Sequence, residues 1–336
     1  MKRNTLFILI LFAGLVLTGC TGEASESRNL TVYSGRSESL VRPLIEQFEA
    51  DTGIQVNVRY GSTAEMAATL LEEGENSPAD VFFAQDPGGL GAVSAAGMLA
   101  ELPEEILNKV DSRFADPDRM WVGVSGRARV VVYNTDTLSP EDLPQDLQGF
   151  TDPVWMGRIG LPPTNASFQT MVTALRQVWG EDATRTWLEG IMANEPTFYE
   201  SNTPTVAAVA AGEVEVGFVN HYYLYRFLTE EGENFSARNY FLPGGGPGSL
   251  VMVAGIGQLA SSQNQENALA FINYLLSPSA QEYFASETYE YPLVPGVLPS
   301  VELTPLAELN ALEIDLSNLA DIEGTVDLLQ DVGMLP

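Results

Sequence analysis

The stretch "NLTVYSGRSESLVRPLIEQFEADTGIQVNVRY", residues 29–60, sets the fold class. "NLTVYS" (29–34) is short, apolar and β-branched, which reads as a strand. In "SESLVRPLIEQFEADTG" (37–53) the apolar residues recur at helical spacing and a glycine closes the run. "IQVNVRY" (54–60) alternates apolar and polar positions, the pattern of a half-buried strand. Strand, helix and strand in that order predict a right-handed crossover between parallel strands. "STAEMAATLLEEG" (62–74), with a Ser/Thr start and a Gly end, predicts a second helix, and "ADVFFA" (79–84) a third strand.

The alternation continues. "RVVVYN" (129–134), "RIGLP" (158–162) and "VEVGFVN" (214–220) read as strands, and residues 168–180, 181–193 and 203–213 as helices. "SLVMVAGIGQL" (249–259) is a long apolar strand, followed by helices over 264–277 and 278–286. The class is therefore α/β. Roughly 300 residues exceed the usual size of one core, so two lobes are expected. Long strands near 121–134 and 249–259 are the candidates to cross between them as hinges. The expected division is 30–128 with 252–302 in the N-terminal lobe, and 129–251 with 303–336 in the C-terminal lobe. "PGGGPGS" (243–249) is a turn whose glycines lack the spacing of a phosphate cradle.

Residues 1–19 read as a signal peptide. Lys2 and Arg3 precede the apolar run "LFILILFAGLVL" (6–17), which is too short to span a bilayer comfortably. It ends in "LTGC", small residues before a cysteine, the mark of a bacterial lipoprotein cleavage site. Cys20, the one cysteine, is the expected lipidation position, and residues 20–29 a flexible tether. These features predict an extracytoplasmic protein, in the periplasm or at the cell surface, held to a membrane through its lipid. The formal charge is −29, with 45 acids against 16 Lys and Arg. That balance argues against nucleic acid as a partner and suits cations or a solvated acidic surface.

Ligands of open α/β sheets sit beyond the carboxyl ends of the strands. Here those ends are "YSGRSE" (33–38), "AQD" (84–86), "PPTNAS" (162–167), "ESN" (200–202) and "NHYY" (220–223). They do not spell an enzyme. His221 is the one histidine, and neither Ser34 nor Ser125 lies in a nucleophile elbow. A zinc site would want several His and Cys, and "ADPDRMW" (115–121) lacks a calcium loop's spacing. Tyr222 and Tyr223, placed where a strand gives way to a helix, suggest different chemistry. A phenol ionises near pH 10, and a hard, highly charged cation such as Fe³⁺ offsets the cost of a phenolate. An anion would complete its coordination, held at a helix N-terminus such as the turn at Asn165, Ala166 and Ser167. Aromatic packing is the other reading of the pair, since Tyr222 and Tyr225 would share a helix face. The residues alone leave both open.

The chain from about residue 30 to 297 resembles the periplasmic ferric-ion-binding proteins of bacterial iron ABC transporters. The resemblance lies in "LTVYSGR", "FEADTGIQV", "EEGENSPADVFFAQD", "VGVSGRARVVVYNT", "RIGLPPTNASF", "AAGEVEVGFVNHYYLYR", "SLVMVAGIGQLASSQNQENALAFINYLLS" and "YEYPLVPGV", in family order. It implies a two-lobed periplasmic-binding-protein fold of type II that closes on Fe³⁺ and delivers it, as a monomer, to a permease. By position, the family's tyrosine pair falls on Tyr222 and Tyr223, and its anion loop on Asn165, Ala166 and Ser167. Asn202 and Asn220 match residues that support the anion, and Arg127 an arginine near the cleft. Two positions depart from the pattern: Ser37 stands where some members have a histidine, and Gln85 where some have a glutamate. Carbonate or another small anion, held by Arg36 and Arg127, would then complete the shell. Tyr60 is a possible third phenolate and Tyr33 a weaker one. The departures also keep open a receptor for an organic or oxyanion ligand such as a phosphonate or polyamine.

Overall fold

The computed structural model describes residues 28–300, 303–312 and 314–336. The expected signal peptide, Cys20 and most of the expected tether lie outside the described residues. β1 (Asn29–Ser34), α1 (Glu38–Thr52), β2 (Gln55–Tyr60), α2 (Thr63–Glu73) and β3 (Val81–Ala84) carry the strand–helix–strand pattern, with β1 parallel to both β2 and β3. α1 buries Val41, Leu44, Ile45 and Phe48 along one face and stops at Gly53, whose φ of 72° suits glycine. α2 starts on a capping box in which Ser62 and Glu65 each take the other's backbone N–H.

α3 (Pro87–Ala95) and α4 (Glu104–Leu107) lead to β4 (Val122–Asn134), thirteen residues buried throughout. Then come β5 (Ile159–Leu161), α5 (Ala166–Trp179), α6 (Glu181–Ala193), β6 (Thr197–Phe198), α7 (Asn202–Ala210), β7 (Val216–Asn220), α8 (Tyr222–Glu231) and β8 (Ala237–Tyr240). β9 (Val251–Gln258), α9 (Gln265–Leu275), α10 (Pro278–Glu287), β10 (Tyr291–Pro292) and α11 (Ile322–Asp331) complete the chain. The strand order is β2-β1-β3-β9-β4-β7-β5-β6, with β8 and β10 also paired to β4.

β4 belongs to both lobes. Up to Ala128, which faces Val251, it pairs with β9; from Arg129, which faces Asn220, it pairs with β7. One core gathers Phe48, Phe82, Phe83 and Phe271 around the first half of the sheet. Two further clusters cover the faces of the second half, and strand alternation sorts residues between them. Val131 and Phe218 face one cluster, Val130, Val132 and Val219 the other. Beyond β10 the chain runs along the first core through Leu303, Leu316 and Leu319, then joins the second through Leu328 and Leu329 of α11. The segment after 303 thus packs on both lobes. Among the described residues, no helix is long and apolar enough to cross a membrane.

Candidate ligand site at the lobe junction

β7 ends at Asn220, and α8 begins two residues later, so the tyrosine pair sits at the helix start. The Tyr222 and Tyr223 rings stack with centroids 4.3 Å apart and planes at 27°. Arg226, one turn on, holds its guanidinium carbon 5.1 Å from the first centroid and 5.3 Å from the second. These three side chains line a cavity of 290 Å³ whose other wall is Gly35, Ser37, Ser39, Leu40 and Gln85. The two lobes therefore meet across it. Burial pushes the Tyr222 phenol well above its ordinary value, and the Tyr223 hydroxyl beside it adds to the shift. Burial therefore favours the neutral form of Tyr222.

Three arginines, Arg36, Arg127 and Arg129, lie fully buried behind the pair. Arg36 grips Glu290 with both terminal nitrogens, at 2.8 and 2.7 Å, and Nη1 also donates to Gln85 Oε1 at 2.8 Å. Ser125 Oγ donates to the same carboxylate at 3.0 Å. Burial alone would raise the Glu290 carboxyl, yet the charges of Arg36 and Arg127 and these hydrogen bonds hold it below its ordinary range. Arg127 donates to the Gln85 carbonyl. Arg129 has only neutral partners, Asn220 Oδ1 at 3.0 Å and the Phe218 carbonyl at 2.8 Å. Burial pulls its guanidinium down to about 9, against the stabilising proximity of Tyr223 and Tyr222.

Where β7 ends, amides tie the α5 start to that strand. Asn165 caps α5 by accepting from the Ser167 N–H at 3.0 Å, and it also accepts from Asn202 Nδ2 at 3.1 Å. Asn220 donates to Ser167 Oγ at 3.0 Å, and its N–H reaches Asn202 Oδ1 at 3.3 Å. The chain Asn202–Asn165–Ser167–Asn220–Arg129 thus brings a helix N-terminus and a buried cation to the strand end that carries the tyrosines. Ala166 is the first residue of α5, in the turn where N–H groups lack intrahelical acceptors.

The structure brings together Tyr222, Tyr223, Ser37 and Gln85 around the cavity. It sets Tyr60 and Tyr33 elsewhere. Tyr60 sits near Arg42 and Glu46 of α1. The Tyr33 hydroxyl donates to Glu73 at 3.0 Å under the Arg59 guanidinium, its cross-strand neighbour. Arg36 lies behind the site with its terminal nitrogens bonded to Glu290 and Gln85, while its buried Nε has no protein partner. Gln85 likewise has its acceptor oxygen engaged. His221 is structural: Nδ1 accepts from the Ala128 N–H at 3.1 Å, and Nε2 donates to the Tyr289 carbonyl at 2.7 Å. Sequence reasoning missed Glu290, Arg226 and Arg129. Only Arg129 left a signal, its two-residue spacing from Arg127 in a strand otherwise apolar.

A model of the bacterial extracellular solute-binding protein family matches residues 43–311. The chain is 33% identical to an Fe(3+)-binding periplasmic protein of Serratia marcescens, covering 98% of this chain and 97% of that one. It is 33% identical to a major ferric iron-binding protein of Neisseria meningitidis serogroup B, covering 95% and 97%. Its fold superposes on iron-bound HitA from Pseudomonas aeruginosa with a TM-score of 0.84 at 33% identity, covering 91% of this chain and 99% of that one. The fold is the two-lobed α/β type II fold of periplasmic binding proteins.

Two predictions follow from the buried charges. Glu290→Gln leaves Arg36 buried without its carboxylate and should cost about 3–5 kcal/mol in chemical denaturation at neutral pH. The difference should shrink as pH drops below 4.5, the ordinary carboxyl value, because the unfolded wild-type chain then takes up a proton that the folded carboxylate refuses until lower pH. Burial holds His221 at about 4 against an ordinary 6.5, so the unfolded chain binds a proton that the fold refuses. Stability should be full above pH 6.5 and fall between there and 4. The loss should be about 3 kcal/mol, and His221→Gln should lack that step in pH-resolved unfolding curves.

Proposed function

This chain belongs to the bacterial extracellular solute-binding protein family, and from that premise we propose that it captures Fe³⁺ between its lobes and hands it to an ABC-transporter permease. The family is one of solute-binding proteins, not enzymes. The observation that carries the iron reading is the stacked Tyr222–Tyr223 pair, centroids 4.3 Å apart, on the wall of an interlobe cavity. Phenolates are hard, anionic donors suited to a trivalent ion, and adjacent phenols at one helix start can serve the same ion. The curated relatives named above as ferric-binding proteins support this assignment.

The surrounding charges support the rest. Three buried arginines stand behind the pair, and Arg226 stands over its rings. They favour the phenolate form and favour an added anion, preferably carbonate. The seat for that anion is the α5 N-terminus with Asn165, Ala166 and Ser167, supported by Asn202 and Asn220, with Arg127 and Arg129 as its cations. Ser37 and Gln85 close the site from the first lobe and contribute little direct ligation. The same reading removes residues 1–19 and places the lipid on Cys20, so that a monomer works from an extracytoplasmic membrane face.

A second reading, an oxyanion such as a phosphonate without iron, is favoured by the four arginines; the same charges oppose a polyamine. Calorimetric titration with phosphonates in metal-free buffer separates the two.

Ferric salt with bicarbonate should give the purified chain a visible phenolate-to-iron band and about one iron per chain by metal analysis. A colourless, iron-free protein sinks the reading. Tyr222→Phe and Tyr223→Phe together should abolish the band. Loading displaces two phenol protons, so apparent affinity should fall by up to about a hundredfold for each pH unit of acidification.

A further inference from the structure

Tyr289, Glu290 and Tyr291 each reach a different part of the lobe junction. Tyr289 has φ of 57°, a left-handed conformation costly for a bulky side chain. Such a residue persists where its surroundings over-determine it. Its carbonyl accepts from His221 Nε2 at 2.7 Å, its ring stacks on Tyr225 at 5.4 Å, and its hydroxyl meets Thr229 Oγ1 at 2.7 Å. His221, Tyr225 and Thr229 are spaced by four, so one residue of the first lobe grips a single face of α8 over two turns. Tyr222 and Tyr223 extend from the first turn of that helix. The next residue, Glu290, holds Arg36, which holds Gln85 on the opposite wall. Tyr291 pairs with Gly126 of β4 and sets its ring 4.8 Å from His221.

We propose that Tyr289 is a positioning residue for the metal site: a strained clasp that fastens α8 to the first lobe and fixes where the tyrosine pair stands relative to the Gln85 wall. The proposal rests on the ferric reading for what the pair binds. Without the side chain, α8 loses the stacking contact at Tyr225 and the hydroxyl contact at Thr229, and the two phenols are freer to drift from the geometry one ion requires.

The test compares full-length wild type with Tyr289→Ala, which removes ring and hydroxyl, and with Tyr289→Phe and Thr229→Val, which remove one hydrogen bond from either side. After loading with Fe³⁺ and bicarbonate, Tyr289→Ala should release iron to a competing chelator about tenfold faster and shift the visible band. Tyr289→Phe and Thr229→Val should show smaller, matching effects. They carry the comparison if Tyr289→Ala does not fold. A second measurement needs no metal: hydrogen exchange at α8 amides in the unloaded chain should speed up in the variants. Unchanged α8 exchange overturns the clasp. So does faster exchange with an unmoved band and release rate, which would leave Tyr289 a matter of stability alone. If the wild type gives no band, the ferric reading fails and α8 exchange alone decides the clasp.

Discussion

Positive charge buried at the junction is the constraint around which the rest is arranged. Arg36, Arg127 and Arg129 are each at most 1% exposed, and Glu290 answers only the first of them with a bidentate pair. Removing a guanidinium from water without a carboxylate costs several kcal/mol, because neutral oxygens replace only part of its hydration. Arg129 has such neutral partners and nothing stronger. The anionic groups that would favour its charge are Tyr223 and Tyr222 in their ionised form. Arg129 is therefore under strain until a negative charge stands beside it. In the ferric reading, forming two phenolates and admitting an anion relieves that strain, so ligand acceptance and stability share one source.

The topology explains why so much charge converges there. β4 changes partners between Ala128 and Arg129, from β9 to β7. At such a switch the sheet's hydrogen bonds pass from one lobe to the other, and side chains on neighbouring strands no longer cover each other continuously. Polar groups fill the gap. His221 accepts from the Ala128 N–H, and the Arg129 N–H donates to the Leu250 carbonyl at 2.9 Å. A lone histidine at a strand end invites a catalytic reading, but both ring nitrogens are committed to backbone groups. Its role is to close a hydrogen-bond account that the crossing would otherwise leave open.

Much of this was legible in the sequence. Alternating strand and helix patterns gave the class, and the long strand pattern around residues 121–134, apolar but for Ser125, Arg127, Arg129 and Asn134, marked the crossing strand. Asn165 was legible as a cap, and the tyrosine pair as an oddity at a strand end. The rest needed three dimensions. Glu290 meets Arg36 across 254 residues, a separation at which no spacing rule operates. Tyr33 and Tyr60 looked eligible because they end strands near the cleft. Strand alternation instead turns Tyr33 to Glu73 and Arg59, while its neighbour Ser34 bonds toward Arg36. Which face an alternating strand offers to a cleft depends on register, and register is fixed by partners far along the chain.

The raised Tyr222 phenol looks at first like an argument against a phenolate ligand, since burial favours the neutral form. It works the other way once competing ions are considered. Every metal that enters must displace the same protons, and that cost is common to all of them. What differs is the return: a trivalent ion gains far more from two phenolates than a divalent one does. A site built of ready-made carboxylates would accept abundant divalent ions without that toll. A Tyr222 phenol held neutral by burial, with cations behind it to steady the ionised form only after it appears, sets a threshold that ion charge must clear. In the ferric reading, discrimination therefore comes less from the fit of the cavity than from the protons the ligands keep until a sufficiently charged ion arrives.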